Sequence, residues 1–304
     1  MKIGLVGLGK MGFNLALNLR DHGVEVIGCD PDEKAREHVE KEGIKTVADI
    51  EALTRSLSSK RVIWMMVPSG AISESCIQKA AELLSPGDIV LDAGNSNYKD
   101  SMRRAKELAQ KQIAFLDVGT SGGTSGARQG ACLMIGGEKA AYDYLEEVFL
   151  AIAQPDGCLY TGKAGSGHFM KMVHNGIEYG MMQAIGEGFQ IMEKSEFGYD
   201  LAQVAKNWNH GSVIRGWLME LAWEQFSKHP GLKDFKGIVA ASGEAKWTVE
   251  TALEMEVPVP VIALSLMIRN ASQEEDSFAC KVVSALRNGF GGHAFVKNDE
   301  EGNL

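Results

Sequence analysis

The chain has 304 residues, of which 45% are hydrophobic and 23% are charged, and its formal net charge at pH 7 is -9. A chain of this length suggests about two domains, and its composition supplies globular cores without a signature of intrinsic disorder. The negative charge argues against nucleic acid or an anionic membrane as a general partner, so an anionic substrate would need a local basic pocket.

Cysteines and histidines indicate neither a disulfide framework nor a metal site. The five cysteines are scattered without a C-x-x-C pair, and the seven histidines show no metal-ligand spacing. The chain opens on an apolar run without the charged segment of a signal peptide. No apolar stretch approaches the roughly 20 residues that span a bilayer. We therefore expect a soluble cytoplasmic protein with no bound metal.

A dinucleotide-binding fingerprint follows the first predicted strand, Lys2 to Val6, and precedes an amphipathic helix. The fingerprint consists of Gly7, Leu8, Gly9, Lys10, Met11 and Gly12. Glycines at this spacing allow a tight turn, a close approach of the backbone to a pyrophosphate, and close packing of the helix on the strand. We predict that these six residues bind the cofactor.

The acid expected to bind the cofactor ribose is Asp30. It follows a second predicted strand, Val24 to Cys29, close to the offset of about 20 residues that such folds use. A turn residue ahead of Pro31 is the alternative. A carboxylate here would accept hydrogen bonds from both ribose hydroxyls and repel a 2′-phosphate. Asp32 and Glu33 add negative charge, with no nearby arginine expected to offset it, so we predict NAD over NADP.

Further predicted strands alternate with helical stretches. They are Val62 to Val67, Ile89 to Asp92, Ala114 to Val118, Cys132 to Ile135 and a last short one near Cys158 to Tyr160. This alternation predicts an α/β Rossmann-type domain with a doubly wound, mostly parallel sheet over residues 1–163. The carboxyl ends of such strands face the ligand crevice, so we expect Val67 and Pro68 to contact the cofactor.

Small and polar residues follow the next two strands. Asn95 comes after the strand that ends at Asp92, and Ser121, Gly122 and Gly123 follow the strand after that. A plain turn at Asn95 and a flexible loop at the glycines are the alternatives. Their position at strand ends favours contacts with the nicotinamide and the substrate. The glycine-rich run 119–130 offers hydroxyl and N–H groups to an anion such as a carboxylate.

A polar stripe runs along a long helix predicted over residues 164–194. Lys171, His174, Asn175 and Glu178 are spaced i, i+3, i+4 and i+7, which places them on one face. The opposite face carries Met170, Met172, Val173 and Ile177. We expect that apolar face to be in the core and the polar stripe to face a cleft. A solvated face is the alternative.

The remainder is predicted to be helical, which gives an all-α domain over residues 164–304. Its later helices are Leu201 to Trp208, Val213 to Phe226, Lys246 to Met255 and Pro260 to Ala271. No second sheet is expected, and the acidic end, Asn298 to Leu304, is expected to fray.

Three basic residues stand out in this half: Lys246, Arg269 and Arg287. Each taken alone is typical of a solvated surface charge. Arg269, however, follows an apolar run, so we expect it to be partly buried and to need an anionic partner. Arg287 and His293 lie among glycines and aromatic residues and would suit an anion-binding loop.

These motifs resemble those of the decarboxylating 6-phosphogluconate dehydrogenases, in a short form with a truncated helical domain. The resemblance is carried by the glycine fingerprint, Asp92 to Ser96, Ser121 to Gly123, Lys171 to Tyr179, Lys246 to Thr248, Arg269 and Arg287 to His293. The wider 3-hydroxyacid dehydrogenase superfamily usually lacks the His-Asn-Gly-Ile-Glu-Tyr continuation after the lysine.

The resemblance implies roles for individual residues. Lys171 would be the general base and Glu178 the acid. The sugar acid would be held by Ser121, Gly122, Gly123, His174 and Asn175, and its phosphate by Tyr179, Lys246, Thr248 and Arg269. Arg287 and His293 would complete a neighbouring subunit's site, which implies a homodimer or homotetramer. NADP-dependent members carry Asn-Arg-Thr where this chain has Asp30-Pro31-Asp32, in agreement with NAD use.

The implied reaction is oxidation of 6-phosphogluconate by NAD, followed by loss of CO2 and formation of ribulose 5-phosphate. One rival is a 3-hydroxyisobutyrate-type dehydrogenase acting on a small 3-hydroxy acid, which would give Lys246, Arg269 and Arg287 no role. A second rival is a non-catalytic NAD-binding subunit that keeps the fold.

Overall fold

The computed structural model describes residues 1–58 and 60–297; the acidic end that we expected to fray lies outside them. The chain divides into two compact units, Met1–Ile177 and Glu178–Leu304. The assignment of residues 1–163 and 164–304 to a cofactor domain and a substrate domain stays a prediction.

The first unit contains one eight-stranded sheet. Its strands are β1 (Lys2–Val6), β2 (Glu25–Cys29), β3 (Lys45–Val47), β4 (Val62–Met65), β5 (Ile89–Asp92), β6 (Ala114–Ser121), β7 (Ala131–Gly137) and β8 (Ala153–Gly162). The order is β3-β2-β1-β4-β5-β6-β7-β8, and only the β6–β7 pair is antiparallel. The doubly wound, mostly parallel sheet is confirmed. The order reverses between β1 and β4, where such sheets form their ligand crevice.

Both faces of this sheet are covered, which explains why its central strands read as continuous apolar runs. In β4, Val62 and Trp64 pack into one hydrophobic cluster, and Ile63 and Met65 pack into the cluster on the other face.

Helices flank the sheet and make up the regular structure of the second unit. The first unit has α1 (Lys10–Asp21), α2 (Glu33–Glu40), α3 (Ile50–Ser56), α4 (Ala71–Leu83), α5 (Tyr98–Gln110), α6 (Gly123–Gln129) and α7 (Lys139–Ile152). The long helix α8 (Ser166–Lys194) follows. The later helices are α9 (Leu201–Trp208), α10 (Trp217–Lys228), α11 (Gly243–Glu254), α12 (Pro260–Ala271) and α13 (Phe278–Gly291), with a 3-10 turn at Pro230–Leu232. The predicted all-α second half is confirmed for its described residues.

Some elements differ from the sequence-based expectation. The short edge strand β3 was not predicted. Helix α10 begins at Trp217, because an exposed turn that ends at Gly216 occupies the positions where we expected its first residues. Arg287 lies within α13, so the expected anion-binding loop at this residue was wrong; only His293 follows the helix. No helix in the described ranges is long and apolar enough to cross a membrane.

The predicted orientation of α8 was also partly wrong. Met170 and Ile177 are 42% and 52% exposed, whereas Lys171 is only 5% exposed. The cause is the close approach of β6 to the start of α8. A Cβ atom added to Gly119 would lie 2.5 Å from the Cβ of Lys171. The side chain of Lys171 therefore lies against the sheet, and part of the apolar face is exposed.

Candidate active site

The glycine-rich turn between β1 and α1 has the form that a pyrophosphate requires. Gly7 adopts φ +93°, and a Cβ at Gly12 would overlap the Gly7 carbonyl oxygen, so both positions need glycine. Gly9 is the N-cap of α1, and no side chain hydrogen-bonds to the cap. A Cβ atom added to Gly9 would lie more than 4 Å from every atom outside the adjoining chain. The open helix end fits an anionic cofactor group. Leu8, Lys10 and Met11 complete the turn.

Asp30 follows β2 and faces this turn. Its Oδ2 accepts a hydrogen bond from the Leu8 backbone N–H at 2.8 Å, and its Oδ1 accepts one from the Asp32 N–H at 2.9 Å. The expectation that no arginine lies nearby was wrong. Arg36 lies in the first turn of α2. Its guanidinium donates to the backbone carbonyls of Asp30 (2.8 Å) and Pro31 (3.0 Å).

The loops after β4 and β5 pack against each other. A Cβ at Gly94 would collide with the carbonyl oxygen of Val67, so the backbones approach closely at this point. Pro68 is exposed. Asn95 adopts φ +52°, in the left-handed region, and its Oδ1 accepts from the Thr120 N–H at 3.4 Å. Asn95 therefore lies beside β6.

The segment expected as a glycine-rich loop is largely regular structure. Ser121 ends β6, Gly122 adopts φ +115° at the start of α6, and Gly123 begins that helix. Both glycines have positive φ, which explains why the strand can turn directly into a helix.

A hydrogen-bonded chain of side chains connects α8 to the end of β6. The Lys171 Nζ donates to the Asn175 Oδ1 at 2.6 Å, and the His174 Nδ1 lies 2.9 Å from the same oxygen. The His174 Nε2 lies 3.1 Å from the Ser121 Oγ. Four of the predicted site residues thus form one connected group, with the lysine nearly buried.

Asp117 is a further residue at this site to which the sequence analysis gave no role. Its buried carboxylate accepts hydrogen bonds from the backbone N–H groups of Gly165 (2.7 Å) and His168 (2.8 Å). A carboxylate at a helix N-terminus is stabilising, so Asp117 anchors the start of α8. Its position inside a predicted strand, two residues before Gly119, was the available signal.

A second group missed by sequence surrounds Arg104, in α5. Its guanidinium donates to Asp92 (2.7 Å), Glu74 (2.9 Å) and Ser73 (3.0 Å). Hydrogen bonds from Arg103 and then from Arg104 lower the pKa of Glu74 to about 2. Nothing in the spacing of Arg103 and Arg104 in the sequence indicates a buried partner.

In the second unit, Tyr179 and Arg269 come together. The Arg269 guanidinium lies 3.4 Å from the centre of the Tyr179 ring and donates to the Ala240 carbonyl at 3.3 Å. The Tyr179 hydroxyl accepts from the Ser242 backbone N–H at 2.8 Å. Arg269 is half-buried, as expected, and its guanidinium contacts an aromatic ring. The anionic partner that we expected for it stays a prediction. Glu178, also half-buried, directly precedes Tyr179 on α8.

The other basic candidates are exposed. Lys246, in α11, lies 3.6 Å from the Glu250 carboxylate, while the Thr248 hydroxyl in the same helix is buried and donates to the Glu244 carbonyl. Arg287 and His293 are exposed at the end of α13 and just beyond it.

Comparisons with known proteins cover nearly the whole chain. Residues 2–162 match the family model for the NAD binding domain of 6-phosphogluconate dehydrogenase, and residues 167–280 and 196–304 match the model for its C-terminal domain. The Bacillus subtilis protein named "Putative 6-phosphogluconate dehydrogenase YqeC" is 49% identical over 98% of this chain and 100% of its own length.

Two further proteins carry cofactor information in their names. An NAD(+)-dependent, decarboxylating 6-phosphogluconate dehydrogenase of Haloferax volcanii is 41% identical over 99% of this chain and 100% of its own length. A solved Plasmodium falciparum 6-phosphogluconate dehydrogenase, described with NADP+ and with 6-phosphogluconate, matches with a TM-score of 0.83 and 30% identity over 100% of this chain and 68% of its own.

Proposed function

This chain belongs to the decarboxylating 6-phosphogluconate dehydrogenase family, and we propose from that premise that it converts 6-phosphogluconate to ribulose 5-phosphate and CO2 with NAD as the preferred acceptor. The observation that carries the proposal is the connected group of Lys171, Asn175, His174 and Ser121. In this proposal Lys171 would be the base, and the dinucleotide would bind at the carboxyl ends of the neighbouring strands.

The cofactor would be held by the glycine-rich turn, Asp30, Val67, Pro68 and Asn95. When bound, its nicotinamide supplies the acceptor for the hydride that leaves C3 of the sugar acid. The uncapped start of α1 would face the pyrophosphate, where the helix dipole and free N–H groups favour negative charge.

Lys171 would act as the base in the oxidation. As a neutral amine it would take the proton of the C3 hydroxyl as the hydride leaves and a ketone forms. The resulting ammonium then donates a hydrogen bond to the C3 oxygen. As the C1 carboxylate departs as CO2, its bonding electrons pass into the enediol, and the proton on Lys171 moves to the C3 oxygen.

Glu178 would complete the reaction as the acid. It lies seven residues after Lys171 on the continuous helix α8, which corresponds to about two turns. It would donate a proton to the carbon that lost CO2, while Lys171 takes back the enediol proton. His174, Asn175, Ser121, Gly122 and Gly123 would hold the sugar acid. The two groups thereby act as base and acid at different carbons.

The phosphate would bind in the second unit, at Tyr179, Lys246, Thr248 and Arg269. The stacking of Arg269 on the Tyr179 ring supports this assignment, because it holds the guanidinium while leaving donors for an anion. Arg287 and His293 would come from a neighbouring subunit, which requires at least a dimer. A cytoplasmic location remains a prediction.

The preference for NAD rests on Asp30. Its carboxylate lies at the end of β2, facing the glycine-rich turn, where a 2′-phosphate would meet negative charge. Arg36 weakens the electrostatic argument but does not remove it, because its guanidinium already donates to two backbone carbonyls.

The test is NADH formation with 6-phosphogluconate, run beside NADPH formation under the same conditions. We expect NADH and CO2 in equal amounts and a higher kcat/KM with NAD. Gluconate and 3-hydroxyisobutyrate serve as unphosphorylated controls. Turnover of 3-hydroxyisobutyrate in preference to 6-phosphogluconate would support the rival enzyme, and a higher kcat/KM with NADP would contradict the cofactor preference.

The phosphate site is tested separately by Arg269→Ala. We expect its KM for 6-phosphogluconate to rise by about 10-fold or more, since a charge-assisted contact with the phosphate is lost. Arg215→Ala, which removes an exposed arginine of the same unit, is the matched control and should leave KM unchanged.

A further inference from the structure

Helix α5 carries a buried polar face that the proposed mechanism does not use. Ser101 and Arg104 are one turn apart on this face, and they are 0% and 1% exposed. A buried arginine requires partners that satisfy its charge and its donors. The two residues connect α5 to different parts of the candidate active site.

Arg104 joins helix α4, which follows the β4 loop, to the loop after β5. Toward β5 its guanidinium donates to the Asp92 carboxylate at 2.7 Å and to the Ser96 hydroxyl at 3.1 Å. Toward α4, which begins just after the β4 loop, it donates to Ser73 (3.0 Å) and Glu74 (2.9 Å). One planar guanidinium therefore fixes the start of α4 and the end of β5 at the same time.

Asp92, which Arg104 contacts, also holds the loop that carries Asn95. Its Oδ1 accepts from the Gly94 N–H at 3.1 Å, and its Oδ2 accepts from the Ser96 hydroxyl at 2.7 Å. Asn95, between them, is held at φ +52°. A non-glycine residue in this region is strained and persists because its surroundings determine its conformation.

Ser101 connects α5 to the helix that carries the lysine. Its Oγ lies 2.7 Å from the Nδ1 of His168, which is itself buried. The His168 backbone N–H donates to Asp117 in β6. Lys171 follows His168 by three residues, so the position of its side chain depends on how this first turn of α8 is held.

We propose that the buried face of α5 positions the active site: Arg104 fixes the two cofactor loops relative to each other, and Ser101 fixes the start of α8 and thereby Lys171. The inference rests on the proposed function for the identity of the reaction. Both are positioning residues, because neither is assigned a contact with substrate or cofactor.

The test uses Arg104→Lys and Ser101→Ala in the full chain. Lysine keeps the charge beside Asp92 but lacks the planar set of donors that reaches Ser73 and Glu74. We expect the Kd for NADH, measured by fluorescence titration, to rise by about 5-fold or more and kcat to fall by about 10-fold or more. For Ser101→Ala we expect kcat to fall by about 5-fold with the Kd for NADH within about 2-fold of wild type.

Each variant has a matched control elsewhere in the first unit. Arg61→Lys alters another arginine–aspartate pair that is mostly buried. Its Arg61 Nε lies 2.9 Å from Asp88, at the amino-terminal ends of β4 and β5. Thr54→Val removes a buried hydroxyl that donates within α3. Both should lower Tm while leaving kcat and the Kd for NADH within about 2-fold of wild type.

The proposal is overturned if Arg104→Lys changes NADH binding no more than Arg61→Lys does, or if Ser101→Ala lowers kcat no more than Thr54→Val. If Arg104→Lys does not fold, the double variant Ser73→Ala with Glu74→Ala removes both contacts of Arg104 with α4 and leaves those with Asp92 and Ser96. An unchanged Kd for NADH would then overturn the role of Arg104. Wild-type protein inactive on 6-phosphogluconate would contradict the proposed function instead, and NADH binding would still test Arg104.

Discussion

At the scale of single residues, Asn175 is the shared acceptor of the candidate site. Its Oδ1 accepts from the Lys171 Nζ and lies within hydrogen-bond distance of the His174 Nδ1. A neutral His174 with its proton on Nδ1 leaves Nε2 as an acceptor for the Ser121 hydroxyl. Because an amine and an ammonium can both donate, Asn175 can accept from Lys171 in either form, as the proposed role of Lys171 as the base requires.

Replacing Lys171 tests this arrangement. Lys171→Met keeps the length of a buried side chain but removes the base, so we expect kcat to fall by about 10³-fold or more. The Kd for NADH should change little, because the proposed cofactor residues are untouched. Lys163→Met, at an exposed lysine just ahead of α8, is the control and should keep near-native kcat. Near-native turnover by Lys171→Met would contradict the assignment.

Asp30 and Arg36 together test cofactor choice. Asp30→Asn removes the charge that would repel a 2′-phosphate, so we expect the ratio of kcat/KM for NAD to that for NADP to fall by about 10-fold or more. Adding Arg36→Met should restore part of the ratio, because it removes the nearby cation that could contact the phosphate. A ratio that does not change in Asp30→Asn would show that the preference lies elsewhere in the site.

At the scale of elements, the start of α8 lies unusually close to the sheet. A Cβ atom at Gly167 would lie 2.5 Å from the carbonyl oxygens of Asp117 and Met134. This contact, with the hydrogen bonds from Gly165 and His168 to Asp117, brings Lys171 against β6. Close backbone packing therefore determines the position of Lys171. Side-chain hydropathy alone does not indicate that position.

Two glycines on α8 distinguish the effect of close packing on stability from the effect of helix propensity. Gly167→Ala should lower the free energy of unfolding by about 3 kcal/mol or more, since the added methyl meets backbone that cannot move aside. Gly186→Ala adds the same methyl in open space on the same helix, and should raise stability by about 0.5–1 kcal/mol. Chemical denaturation measures both. Similar stability changes in the two variants would contradict the close contact.

The sequence predicted elements with strong patterns and missed those without them. Strands β1 and β5 and helices α9 and α12 have the predicted bounds, because apolar runs and Pro260 mark them clearly. The edge strand β3 is three residues long, and two of the three are polar. Helix α13 contains Gly289 and Gly291 near its end, which suggested a loop.

The sequence indicated several of the connected side chains of the candidate site, but not the residues that hold them in place. Lys171, His174 and Asn175 were found from helical spacing, which is a local property of the chain. Arg104 and Asp117 act through partners distant in sequence, so no local pattern distinguishes them from a surface charge and a strand residue.

At the scale of the whole molecule, two helices of the second unit expose apolar stripes. On α12 the exposed residues are Val261, Leu264 and Met267; on α13 they are Val283, Leu286 and Phe290. Contiguous exposed apolar residues are typical of protein interfaces. This supports the proposed homo-oligomer, in which Arg287 and His293 would lie close to a subunit contact.

Mixing two inactive variants tests whether Arg287 acts in the neighbouring site. We expect Lys171→Met and Arg287→Ala each to have little activity. If Arg287 serves the partner, a mixed dimer has one site with both changes and one with neither. Random pairing during co-expression should therefore restore about a quarter of wild-type activity.

The matched control for this experiment is Lys171→Met mixed with Glu178→Gln, two residues assigned to the site of their own subunit. No mixed dimer of this pair contains a native site, so no activity should return. If the pair with Arg287→Ala also stays inactive while size-exclusion chromatography shows a dimer, Arg287 acts within its own subunit. A monomer in that measurement would contradict the shared site directly, since each chain would then have to supply every contact itself.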